Sequence, residues 1–192
     1  MTKRGVLLMA TLVLSATVMT GCMPEMTIEK MKEMMKVERP AELDRINFKT
    51  GTWEATGEGQ FAGLDQPVKT TMRATGSWEC GERLMVSRGT MTMEELGDFE
   101  FMEIWTYDAK AGKYRTYWFD NGGMTGVGTA KYDDKTDRWT TRMTMRGPFG
   151  KMSAKGTMTL TGETSMHWTW KESVMMGLME VAHWKGTSKK VE

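Results

Sequence analysis

The chain has 192 residues, with 26 basic and 25 acidic side chains and a net charge of +1. That length suits one domain with a short appendage, and the balanced charge offers no basic stripe for a nucleic acid. Two histidines and two cysteines give no zinc spacing and no Ser-His-Asp order, so no metal, no cofactor and no catalytic residue is expected.

The chain opens with Lys3 and Arg4, then an apolar run over Val6–Val18, then Met19-Thr20-Gly21-Cys22. A basic start, a short apolar segment and small residues before a cysteine describe an export signal over residues 1–21. The apolar run is too short to span a bilayer comfortably. A cysteine directly after Thr-Gly resembles the lipobox of bacterial lipoproteins. That resemblance implies that Cys22 becomes an acylated N-terminus and anchors the protein in the cell envelope. Met23 after it points to the outer membrane, facing the periplasm. With Cys22 acylated, Cys80 is the remaining thiol, and beside Trp78 and Gly81 it reads as a small, buried strand residue.

Residues 22–47 read as a tether and a short helix. Ile28, Met31, Met34 and Met35 recur at helical spacing, opposite Glu29, Lys30, Lys32, Glu33 and Lys36. Thr27 is placed to cap the start and Pro40 to stop what remains. Such a helix would close one end of the domain or, held near lipid by the anchor, lie on the membrane.

From Thr50 the period becomes two. Ten runs read as strands: 52–61, 67–79, 83–93, 98–107, 113–120, 124–132, 138–146, 152–161, 164–171 and 178–187. Gly-, Asp- or Asn-containing turns separate most of them. The stretch Trp105–Trp118 is the clearest hairpin, with Asp108-Ala109-Lys110-Ala111-Gly112 as its turn and Gly112 free to adopt positive φ. Adjacent strands joined by short turns, without a core helix between them, predict an all-β, up-and-down barrel of about ten antiparallel strands over residues 48–188. Residues 189–192 would form a tail. Methionine is abundant, 22 in all, and beyond residue 21 it outnumbers Leu, Ile and Val together.

Gly51-Thr52-Trp53 opens the first strand and resembles the start of lipocalin-like (calycin-type) barrels. Gly81-Glu82-Arg83-Leu84-Met85-Val86, Tyr107-Asp108, Lys113-Tyr114, Trp118-Phe119-Asp120 and Gly126 follow in order. The closing strand is Met179-Glu180-Val181-Ala182-His183-Trp184-Lys185. The series resembles a bacterial lipocalin-like family catalogued as a domain of unknown function (fifteen seventy-nine). It implies a fold and a compartment, and no reaction. Thr106 stands where that family has glycine. Lys185 stands where its last strand carries the arginine that lies across the first-strand Trp, so a Lys185–Trp53 contact is expected to be weaker. The first strand also resembles haem-binding nitrobindin barrels, in which a late histidine is the axial ligand; His183 would be that residue.

The expected function is non-enzymatic binding of a small, largely apolar molecule inside the barrel. Trp105, Trp118, Met143, Met145, Met158, Trp168 and Trp170 are the predicted lining, because Met and Trp suit a tolerant pocket. A scaffold or protein-interaction module of the envelope, its barrel filled by its own side chains, is the alternative. Asp108 and Asp120 read as turn residues that accept backbone N–H groups. Glu103 shares a strand face with Phe99, Phe101, Trp105 and Tyr107; it is expected to meet Arg115 or solvent.

Overall fold

The computed structural model describes residues 26–36, 38–148 and 150–192. The signal segment and Cys22 lie outside the described residues. The chain divides into two units, residues 1–38 and 39–192. In the first, α1 (Ile28–Met35) forms as the spacing predicts, and the Thr27 hydroxyl accepts the Lys30 N–H at 3.2 Å as its N-cap. None of its residues is buried. Among the described residues no helix is long and apolar enough to cross a membrane.

The second unit is a closed barrel of ten antiparallel strands. They are β1 (Gly51–Phe61), β2 (Val68–Glu79), β3 (Leu84–Met93), β4 (Gly97–Asp108), β5 (Lys113–Asp120), β6 (Thr125–Asp133), β7 (Arg138–Gly147), β8 (Gly150–Gly162), β9 (Ser165–Val174) and β10 (Met179–Lys190). Each pairs with its sequence neighbours, and β10 returns to β1 from Trp53↔Lys190 to Phe61↔Ala182. This is the predicted up-and-down, lipocalin-like architecture. Closure removes both sheet edges, which explains why strands this exposed to water need no edge protection. The expected tail is part of that closure: β10 runs to Lys190, and the Val191 N–H donates to the Thr52 carbonyl at 2.9 Å.

Closure of one end comes from a 3₁₀ helix, Ala41–Lys49, which the sequence pattern assigned to the tether. Leu43 and Ile46 are 1% and 0% exposed, each worth roughly 1.5–3 kcal/mol of apolar burial. Three hydrogen bonds fix this plug: Trp53 Nε1 to the Phe48 carbonyl (3.2 Å), Trp78 Nε1 to Asn47 Oδ1 (2.9 Å) and Tyr114 Oη to the Glu42 carbonyl (2.8 Å). Above it Trp139, 1% exposed, meets Trp105 and Tyr114 edge-on at 5.3 and 4.8 Å. Edge-to-face contacts of this kind add to plain area burial.

Further along the barrel, large inward side chains lie on glycines of the neighbouring strand. A Cβ on Gly59 would stand 2.1 Å from the Trp184 ring, and one on Gly156 2.3 Å from the Trp170 ring. Trp168 occupies the space left by both Gly57 and Gly186. These glycines serve as sockets, because only a missing side chain lets an indole lie flat on the sheet.

Candidate functional site in the upper barrel

The plug defines a lower end. The upper end carries the turns at 62–67, 94–96, 121–124 and 175–178. All seven predicted lining residues point inward, but the structure separates them. Trp105 is 2% exposed and belongs to the lower aromatic core, and Met158 packs against it. Met143 and Met145 form a second cluster with Met152 and Ala154, against which Trp118 and Trp170 pack. Trp118, Trp168 and Trp170 are only half-buried, so they and the methionines form the candidate site. Trp118 stacks on Phe101 at 4.6 Å and 9° between planes. Gly126, inward on β6, makes room for the Met143 and Met145 thioethers.

Two carboxylates enter this apolar space, each tied to an indole two residues before it. Trp118 Nε1 donates to Asp120 Oδ2 at 2.9 Å, and Trp170 Nε1 donates to Glu172 Oε1 at 3.1 Å. The i, i+2 spacing puts donor and acceptor on one strand face. Asp120 also takes the Met124 N–H at 3.0 Å, the turn role expected of it. Burial pushes the Glu172 carboxyl above its ordinary value, the Trp170 bond opposes this, and the charge of Asp120 adds to the rise. No basic side chain comes within ion-pair distance of either carboxylate among the described residues.

Glu103 points inward as its strand face requires, but neither expected partner is right. It pairs with Lys49 Nζ at 2.8 Å, while Arg115 is held by Asp108 at 2.9 Å. The same ammonium lies 4.7 Å over the Trp105 ring. Cations do lie on tryptophans in this barrel, therefore, but they are Lys49 on Trp105 and Arg39 on Trp78, each at 4.7 Å. Lys185 faces outward, paired with Glu58 at 2.9 Å, and makes no such contact with Trp53. His183 also sits on the outer face, between the inward Ala182 and Trp184 and 3.8 Å from Glu180. The structure therefore does not present it to the barrel interior as a haem ligand. Cys80 is exposed in the turn after β2, with φ +51°, rather than buried in a strand.

Glu172 and Lys49 are the residues that sequence reasoning missed. Glu172 carried a usable signal, since it continues the Met166-Trp168-Trp170 face. The indole N–H groups of Trp105, Trp139 and Trp168 and the Thr116 hydroxyl are buried without a hydrogen-bond partner among the described residues.

Two concavities stand out among the described residues. One, of about 510 Å³, is lined by outer-face residues including Arg88, Glu100, Met102 and Phe119, and by the inward Phe101 and Asp120. The other, of about 210 Å³, lies between Glu58, Gln60, Pro67, His183 and Lys185. Neither is lined by the predicted ligand residues.

No family model and no curated protein matches the chain. Solved structures do. Rv2717c from M. tuberculosis is 10% identical with a TM-score of 0.60, covering 81% of this chain and 100% of its own. The S-type phycobiliprotein lyase CPES from Guillardia theta is 8% identical with a TM-score of 0.53, covering 79% of this chain and 91% of its own. At such identities the likeness establishes the fold, a closed lipocalin-like barrel, and nothing further.

Proposed function

We propose that this is an exported, lipid-anchored envelope protein of the lipocalin-like family of unknown function (fifteen seventy-nine), and that it binds a small, largely apolar molecule in the upper half of its barrel without acting on it. The observation that carries the binding role is the set of half-buried inward indoles, Trp118, Trp168 and Trp170, beside the Met143–Met145–Met152 cluster. A closed barrel that served only as a scaffold has no need to leave large aromatic faces partly accessible on its inside. Barrels of similar fold include a phycobiliprotein lyase, and this is compatible with a small-molecule role. The anchoring role rests on the Met19-Thr20-Gly21-Cys22 stretch. The exposed apolar face of α1, with Ile28, Met34 and Met35 each more than half exposed, suits a segment held beside lipid.

The binding test is quenching of intrinsic tryptophan fluorescence by neutral apolar probes, compared with Trp118→Phe and Trp170→Phe variants that remain folded. Saturable quenching that weakens in those variants supports the reading. The tight lower core, with Trp105 and Trp139 nearly inaccessible, favours the scaffold alternative, and an absence of probe uptake selects it. The anchor has its own test: Cys22→Ser should move the protein from the membrane fraction to the soluble one, and unchanged fractionation would refute lipidation.

A further inference from the structure

Resting on that reading, we propose that the upper barrel is a site for a small organic cation, whose apolar body lies against Trp118, Trp170 and the Met143, Met145 and Met152 thioethers and whose ammonium group pairs with Glu172.

Three observations converge on this chemistry. First, Glu172 faces inward with one oxygen bonded to the Trp170 indole, and no basic side chain answers it among the described residues. A carboxylate in an apolar setting requires a proton or a cation. Second, Asp120 and Glu172 stand close enough for the charge of one to act on the other, and the Lys49 ammonium that enters the barrel is already engaged by Glu103. An anionic ligand would add a like charge beside Asp120 and Glu172, where it is disfavoured. Third, the walls are electron-rich: the faces of two indoles and a group of polarisable thioethers. Aromatic faces attract ammonium groups, most strongly when water is excluded. A metal ion fits less well. No group of three or more His, Cys, Asp or Glu side chains that could hold one exists among the described residues, and hard cations require six or more oxygen ligands or an aqueous shell.

The raised proton affinity of Glu172 agrees with this arrangement. A bound ammonium group would supply the positive charge that this carboxyl lacks in the free protein.

The experiment uses the full chain and three probes of one shape: a phenylalkyl-trimethylammonium ion, its neutral tert-butyl isostere and the corresponding carboxylate. Binding is followed by tryptophan fluorescence near neutral pH. The cation is expected to bind about tenfold more tightly than the neutral isostere, equivalent to about 1.4 kcal/mol, and the carboxylate most weakly. Glu172→Gln, which keeps the shape of the side chain, should erase the preference for the cation while leaving the neutral probe within about twofold. The ratio on the parent chain tests the proposal even if the variant does not fold. Neutral and cationic probes binding equally, or a preference untouched by Glu172→Gln, would overturn the cation site and leave apolar binding standing. If none of the three binds, both readings fail.

Discussion

Lys49 Nζ lies 2.8 Å from Glu103 Oε2 and 4.7 Å over the ring of Trp105. One ammonium thus links the last residue of the plug to the inner face of β4, at the boundary between the packed lower core and the more accessible upper barrel. The two side chains are 12% and 23% exposed. At that burial the pair is screened little by salt, and each charge depends on the other.

Lys49→Met should therefore destabilise the fold by more than the loss of a surface ion pair. Removing the ammonium leaves Glu103 unpaired inside the barrel and strips the cation from Trp105. The expected loss is on the order of 2 kcal/mol, below the roughly 3–5 kcal/mol of a fully buried pair. The double variant Lys49→Met/Glu103→Leu should recover much of it, because no lone charge remains. Urea unfolding of the three proteins measures both numbers. A single variant as stable as the parent would show that the pair has no structural role.

The barrel was legible in the sequence because its signals are local. Alternation along Met166-Trp168-Trp170 and a turn such as Asp108–Gly112 are written in consecutive residues, and Gly112 does adopt φ +61°. The Asp108 carboxylate accepts the Ala111 N–H at 3.0 Å, as a turn residue should. The plug was not legible. Leu43 and Ile46 are too few to establish a period, and their burial depends on being carried into the end of a barrel closed by residues far along the chain. For the same reason Lys49–Glu103 was hidden: a contact across 54 positions follows from register and not from spacing. The family resemblances offered an inward role for Lys185, as a weak contact with Trp53, and for His183 only as an alternative haem ligand. Pairing with β1 sets Lys185 opposite Glu58 and His183 opposite Gln60 on the outside.

Gly156→Ala should disturb the site without touching any polar group. The new Cβ would stand 2.3 Å from the Trp170 ring, so the indole must tilt away from the sheet. Overpacking of this kind costs about 1–3 kcal/mol. Because Trp170 holds Glu172 through its N–H, probe affinity should fall together with stability. Gly63→Ala is a poor control despite open space around it, since its φ is +90°. Thermal unfolding and tryptophan emission of Gly156→Ala check the claim, and an unchanged emission spectrum would mean that Trp170 does not rest on that glycine.

Haemin should form no complex that depends on His183. The imidazole lies on the outer face beside Glu180, Glu58 and Lys185, and an axial ligand must point into the pocket that holds the porphyrin. A haemin titration of the parent and of His183→Ala should give the same spectrum. A stoichiometric Soret shift lost in the variant would restore the nitrobindin-like reading.

Glu172→Gln should make the free protein more stable near neutral pH, and the gain should vanish in acid. The sign follows from proton linkage. Burial, opposed by the Trp170 hydrogen bond and reinforced by the charge of Asp120, raises the folded-state pKa of Glu172 above its ordinary 4.5. The folded protein therefore holds this proton more tightly than the unfolded chain does. Below the ordinary carboxylate range the side chain is neutral in both states and costs nothing. As pH rises through the raised folded value, the folded state must carry a poorly solvated charge, and stability is lost. Glutamine mimics the protonated form at every pH, so it escapes that loss while keeping an oxygen to accept the Trp170 N–H. Unfolding midpoints of parent and variant, compared at about pH 3 and about pH 7, should coincide at the lower value and separate at the higher. Saturating the parent with a trimethylammonium probe should close the gap at neutral pH, because the bound cation then supplies the charge that the empty site lacks. A variant less stable than the parent at neutral pH would mean that the ionised carboxylate is already satisfied in the free barrel.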